Sequence, residues 1–176
     1  QKRLIGYNFY DKDRYVLVVC DHLSLQKKER GFTLKENIDK YSEYCIFLRN
    51  ICGYSFFNIQ QFNQGLNSVE RSKYKGVDIS PQQNDFKDTS NPYTDADIVI
   101  GIMNPWKMDM KECLGYNLEI LKENFRMLKV IKNRKGGDNK AIGVYFNAPA
   151  GTFHELPEVN TTELQDFYIR VKERNK

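Results

Sequence analysis

The stretch that most constrains the fold is Tyr15–Leu25, YVLVVCDHLSL. Tyr15 to Cys20 carry no charge and no helical period, and three of these residues are valines. β-Branched residues favour extended backbone. The run therefore reads as a strand buried on both faces, the kind found in a mostly parallel sheet. It stops at Asp21. Ligands of open α/β sheets bind just outside the carboxyl ends of the strands, so a carboxylate at that place is a candidate binding group. An Asp there can equally cap a turn or a helix, and the stretch by itself leaves both readings open.

The next forty residues make this strand the first half of a crossover. Thr33 and Glu36 have capping-box spacing. Leu34, Ile38, Tyr41, Cys45, Leu48 and Cys52 recur at three- and four-residue steps, which puts them on one helix face. Gly53 suits the C-terminal cap. A helix over 33–53 is followed by a second strand at Ser55–Gln60, SFFNIQ. A strand–helix–strand unit of this length pairs its strands in parallel through a right-handed crossover. Gln61 and Asn63 then fall at the same rim as Asp21.

Residues 64–94 are polar, with Gly65, Gly76, Pro81 and Pro92, and read as one long loop. A loop of that length inside a compact domain is usually functional. Its cations Arg71, Lys73 and Lys75 face either an anionic partner or solvent. Asp97–Met103, DIVIGIM, reads as another buried strand, and 104–124 as irregular with a short strand or turn near Tyr116–Leu121. Arg126–Arg134 alternates as a half-exposed strand. Gly136, Gly137 and Asp138 make a hairpin turn, Ile142–Phe146 and Gly151–Leu156 return as strands, and Thr161–Lys176 is an amphipathic helix.

Charge concentrates in that hairpin. Arg126, Lys129, Lys132, Arg134, Lys135 and Lys140 stand against Asp138 alone. Phosphate is a natural partner for such a group, and a solvated tip is the other reading. Lys132 and Arg134, two apart, leave a strand on the same face. No acidic residue lies within their own strand.

Composition sets wider bounds. The 176 residues are 40% hydrophobic and 28% charged, which suits one domain with a real core. A net charge of +4 permits a nucleic-acid partner without requiring one. No apolar run approaches a membrane span, and the first residues do not read as a signal peptide. Cys20, Cys45, Cys52 and Cys113 lack metal-ligand spacing and read as reduced core residues of a cytoplasmic protein. His22 and His154 are too isolated to suggest a metal site. Gln1 is not an initiator Met, and residues 1–14, with Tyr7, Phe9 and Tyr10, read as the end of an upstream segment.

Four segments, in order, resemble the C-terminal half of the RecA-type ATPase domain of DnaB-like replicative helicases. YVLVVCDHLSL resembles the family's strand ending in the magnesium-associated Asp, with His22 where Tyr is common. FFNIQQFNQG resembles the sensor strand ending Gln-Leu-Asn-Arg-Gly: Gln61, Asn63 and Gly65 match, and Gln64 replaces the Arg. DFKDTSNPYTDADIVIGI resembles Asp-Leu-Arg-Glu-Ser-Gly followed by Asp-Ala-Asp-Ile-Val: Asp85, Asp95, Ala96 and Asp97 match, Lys87 and Asp88 are conservative departures, and Ser90 falls at the Gly. VIKNRKGGDNKAIGVYF resembles the Lys-x-Arg-x-Gly hairpin and its return strand. The match spans about residues 15–156 and suits a divergent phage-like or mobile-element relative, with 157–176 as a helical tail.

The resemblance implies an α/β RecA-like P-loop ATPase core, in its C-terminal part, with a mostly parallel sheet flanked by helices and a C-terminal antiparallel hairpin. It implies ATP and Mg2+ as cofactors, with single-stranded DNA and further copies of the chain, in a hexameric ring, as partners. Asp21 would hold the water shell of magnesium, and Gln61 would sense the γ-phosphate. Lys132 and Arg134 would reach the nucleotide of the neighbouring subunit as a finger in trans. Arg71, Lys73, Lys75, Lys87 and Ser90 would hold the DNA strand. No GxxxxGK[ST] phosphate loop occurs in the sequence. The expectation is therefore the second half of a longer helicase, inactive alone. The competing expectations are a non-catalytic DNA-binding or loader-type protein that lost the loop, and a RecA-like recombinase-type ATPase.

Overall fold

The computed structural model describes residues 13–62, 80–86 and 88–174. Asn63, Gly65, Arg71, Lys73, Lys75 and Lys87 lie outside them. The chain forms two compact units.

The first unit holds the crossover. Strand β1 (Leu17–Cys20) pairs in parallel with β2 (Ser55–Asn58), and helix α1 (Leu34–Cys52) joins them. The capping box forms as the spacing predicts: the Thr33 hydroxyl accepts from Glu36 N–H, and the Glu36 carboxylate accepts from Thr33 N–H at 2.8 Å. That second bond holds the Glu36 carboxyl below its usual range. Gly53 ends α1 in the left-handed region, at φ 66°. Two buried polar side chains lie on α1 beside the predicted apolar face. Asn37 accepts from Glu29 N–H and donates to the Gln26 amide, which pins the loop before the helix. Ser42 donates to Asp95 at 2.6 Å. Asp95 closes α2 (Asn91–Asp95), a short helix within the stretch read as continuous loop.

Asn58 joins Tyr41 and Cys45 of α1, so Val18, Cys20 and Phe56 share the helix-facing side of the pair. Leu17, Val19 and Phe57 point the other way, and each is more than half exposed. The expectation that this strand is buried on both faces is thus corrected. A continuous apolar run needs a layer on each side, and within this unit α1 supplies only one.

The second unit is built on an antiparallel sheet in the order β3 (Ile98–Met103), β6 (Phe125–Asn133), β7 (Ala141–Asn147), β8 (Thr152–Glu155). Parallel pairing is therefore confined, among the described residues, to β1 and β2, and the mostly parallel sheet is not what these strands form. A small ladder of β4 (Glu112–Cys113) and β5 (Tyr116–Asn117) leads into α3 (Leu118–Leu121), which packs on the tail helix α4 (Thr162–Arg174). Phe125, Leu118, Leu121 and Leu164 form the innermost core. The rings of Tyr116 and Phe125 lie over Gly143, where a Cβ would sit 2.7 Å from both. Burial pushes the Cys113 thiol up to about 11, so it is an inert core thiol.

The far face of this sheet carries Ile98, Ile100, Ile102 and Ile142, each more than half exposed. The reading of Asp97–Met103 as a fully buried strand is corrected for the same reason as β1. The inner face departs from expectation too. Lys129, counted among the hairpin cations, alternates inward with Phe125, Met127 and Ile131 and is 6% exposed. Its ammonium donates to Ser80 at 2.6 Å. Its cross-strand partner is Gly101, and a Cβ there would lie 2.7 Å from Pro81. The Ser80–Pro81 turn thus rests on a glycine–lysine pair.

Candidate functional site

The carboxyl rim of β1 and β2 is pinned by backbone bonding. Ile59 N–H donates to Cys20 C=O, and Leu23 N–H donates to Ile59 C=O, each at 2.9 Å. Asp21 and His22 lie between those two anchors. Ile59 therefore pins the chain on both sides of Asp21, and the Asp21 carboxylate stays exposed at the strand end. Gln61 is exposed two residues past Ile59, on the same rim.

The segment 88–90 is tied to this rim from three sides. Ser24 donates to the Asp88 carboxylate at 2.7 Å, Gln60 donates its amide N–H to Thr89 C=O at 3.0 Å, and the Thr89 hydroxyl donates to Asp39 at 2.7 Å. Phe62 bridges Phe86, whose ring also meets Tyr93 of α2. Ser90 is exposed, and its carbonyl accepts from Thr94 N–H. Asp21, Gln61 and Ser90 all lie in the first unit, close in sequence to the residues that make these bonds. The glutamine that bonds to segment 88–90 is Gln60. Periodicity could not separate it from Gln61, since both are amides at a strand end.

Lys132 and Arg134 belong to the second unit. Lys132 lies near the end of β6 opposite Val99, half-buried. Arg134 follows the strand. Its N–H donates to Asp97 C=O at 3.0 Å, and its guanidinium meets the Asp97 carboxylate at 3.2 Å. Arg134 thus has an acidic partner although, as the sequence reads, its own strand holds none. No acid lies within β6, but antiparallel pairing brings the residue preceding β3 to the end of β6. Asp97 was visible in DADIV, yet only the register assigns it to Arg134. The two acids of that motif divide their work, since Asp95 accepts from Ser42 and its carbonyl from Arg49.

Among the described residues no group of three or more His, Cys, Asp or Glu side chains could hold a metal ion. Magnesium usually keeps several waters and binds through one or two carboxylates plus substrate phosphates. A single exposed carboxylate at a strand end fits that mode, and Asp21 is the residue that would hold it. No helix among the described residues is long and apolar enough to cross a membrane.

No family model matches the chain, and no curated protein matches it in sequence. Solved structures do match. One solved ATPase domain superposes with a TM-score of 0.62 at 18% identity, over 84% of this chain and 46% of that one. A DnaB-like replicative helicase, described with its interactions with primase, superposes with a TM-score of 0.61 at 17% identity, over 84% of this chain and 32% of that one. The chain thus shares the α/β fold of these ATPase and helicase structures and spans less than half the length of either.

Proposed function

We propose that this chain is the C-terminal half of the ATPase domain of a DnaB-like DNA helicase, a ring-forming motor driven by ATP. The observation that carries the reading is the rim: an exposed Asp21 pinned at a parallel strand end, with Gln61 and the bonded segment 88–90 beside it. Asp21 would hold, through water, the magnesium ion bound with the nucleotide. Magnesium, when bound, neutralises charge on the phosphates. Gln61 senses the γ-phosphate, and its neighbour Gln60 relays that state through Thr89 to Ser90. Lys132 and Arg134 reach across to the nucleotide of an adjacent copy. The phosphate loop comes from sequence upstream. The 46% and 32% coverages of the structural neighbours support this division.

The reading places Arg71, Lys73, Lys75, Lys87 and Ser90 on single-stranded DNA. A strand held by its phosphates releases counterions, so log K falls with log salt by about 0.7 per phosphate contact. Neutralising the four cations together in the complete protein is expected to flatten that slope by roughly 3, measured by fluorescence anisotropy across a salt series. A slope unchanged by the four substitutions would remove this segment from the DNA interface.

A further inference from the structure

Asp97 holds Arg134 twice, by its backbone carbonyl and by its carboxylate. Arg134 lies just past the end of β6. The bond from Arg134 N–H to Asp97 C=O, at 3.0 Å, extends the β3–β6 pairing by one step. The 3.2 Å contact between Nη1 and Oδ1 then selects an orientation for the side chain. The two side chains are 44% and 52% exposed. An ion pair between groups so open to water adds little to stability. Its effect is on geometry: a long flexible side chain is held in one orientation before it is needed.

We infer that Asp97 is a positioning residue for Arg134, orienting the guanidinium beyond the end of β6 so that it meets the neighbouring copy's phosphate with little reorganisation. This rests on the reading of Arg134 as a group acting in trans. Pre-set orientation is a large part of what a charged group contributes to a transition state. Loss of Asp97 should therefore appear in kcat and leave ATP binding alone.

The test uses the complete protein, with its upstream phosphate loop, in steady-state ATP hydrolysis. Asp97→Asn keeps the shape and removes the charge. It is expected to lower kcat at least about fivefold with KM for ATP changed less than about twofold. Asp97→Glu is expected to recover part of the loss. In an Arg134→Ala background, Asp97→Asn is expected to change nothing further, because Asp97 acts through that side chain. Thermal melting checks that each variant folds, and Asp97→Ser replaces Asp97→Asn should the latter fold poorly. An unchanged or raised kcat in Asp97→Asn overturns the inference. So does an equal loss with and without Arg134, which is the signature of a merely structural acid. Normal turnover by Arg134→Ala removes the trans-acting reading and this inference together. A deficient Arg134→Ala beside a normal Asp97→Asn removes the inference alone.

Discussion

Replacing Arg134 by alanine in the complete protein is expected to cut ATP turnover at least about tenfold, or at least ~1.4 kcal/mol of transition-state stabilisation, while nucleotide binding survives. The side chain follows β6, is half exposed, and is anchored by Asp97 without being buried by it. A cation so placed contributes little to the fold, so the loss should be one of rate. Fingers supplied in trans are worth on the order of 10³–10⁵ in GTPases, which leaves room for a larger effect. The stronger experiment mixes two inactive proteins, Arg134→Ala and a variant disabled in the upstream phosphate loop. A mixed ring has some sites with an intact loop beside an intact finger, so activity should return in part. Absence of any rescue in rings shown to be mixed would count against a shared site. Full turnover by the single variant would end the assignment of Arg134.

Phe125→Ala is expected to destabilise the second unit by about 3–5 kcal/mol, the usual cost of deleting a fully buried aromatic ring. Phe125 is 0% exposed, packs on Tyr116 at 5.7 Å and lies against the backbone at Gly143. The glycine leaves no side chain that could swing into the cavity, so little collapse should relieve the loss. Domains are stable by only about 5–15 kcal/mol, so this change consumes much of the margin. Denaturant unfolding followed by Trp106 fluorescence reports on the right place, since the Pro105–Met108 turn packs on β6. A loss below about 1 kcal/mol would mean that the ring does not organise this core. The two substitutions test separate properties: Arg134→Ala should leave the unfolding midpoint near its starting value, and Phe125→Ala should lower it.

Local chemistry accounts for the parts of the fold that the sequence determined by itself. Thr33, Glu36 and Gly53 bound α1 because caps act within one turn of a helix end. The apolar steps from Leu34 to Cys52 chose its inward face for the same short-range reason. The turn after Arg134 and the alternation of β6 predicted the hairpin with β7, and Asp21 was legible at a strand end because the uncharged run from Tyr15 to Cys20 stops there. Pairing over long distances was decided by the tertiary structure. Nothing in DIVIGIM says that β3 lies antiparallel to β6, yet that register brings Asp97 to Arg134 and Gly101 opposite Lys129. Lys129 reads as one more surface cation until Ser80 offers it an acceptor inside the unit. Leu17, Val19 and Phe57 have the composition of doubly covered strands, and only the arrangement of layers shows that one side is open. Caps and periodicities are satisfied by neighbours a few residues away, whereas burial and charge pairing depend on which distant segment the folded chain brings alongside.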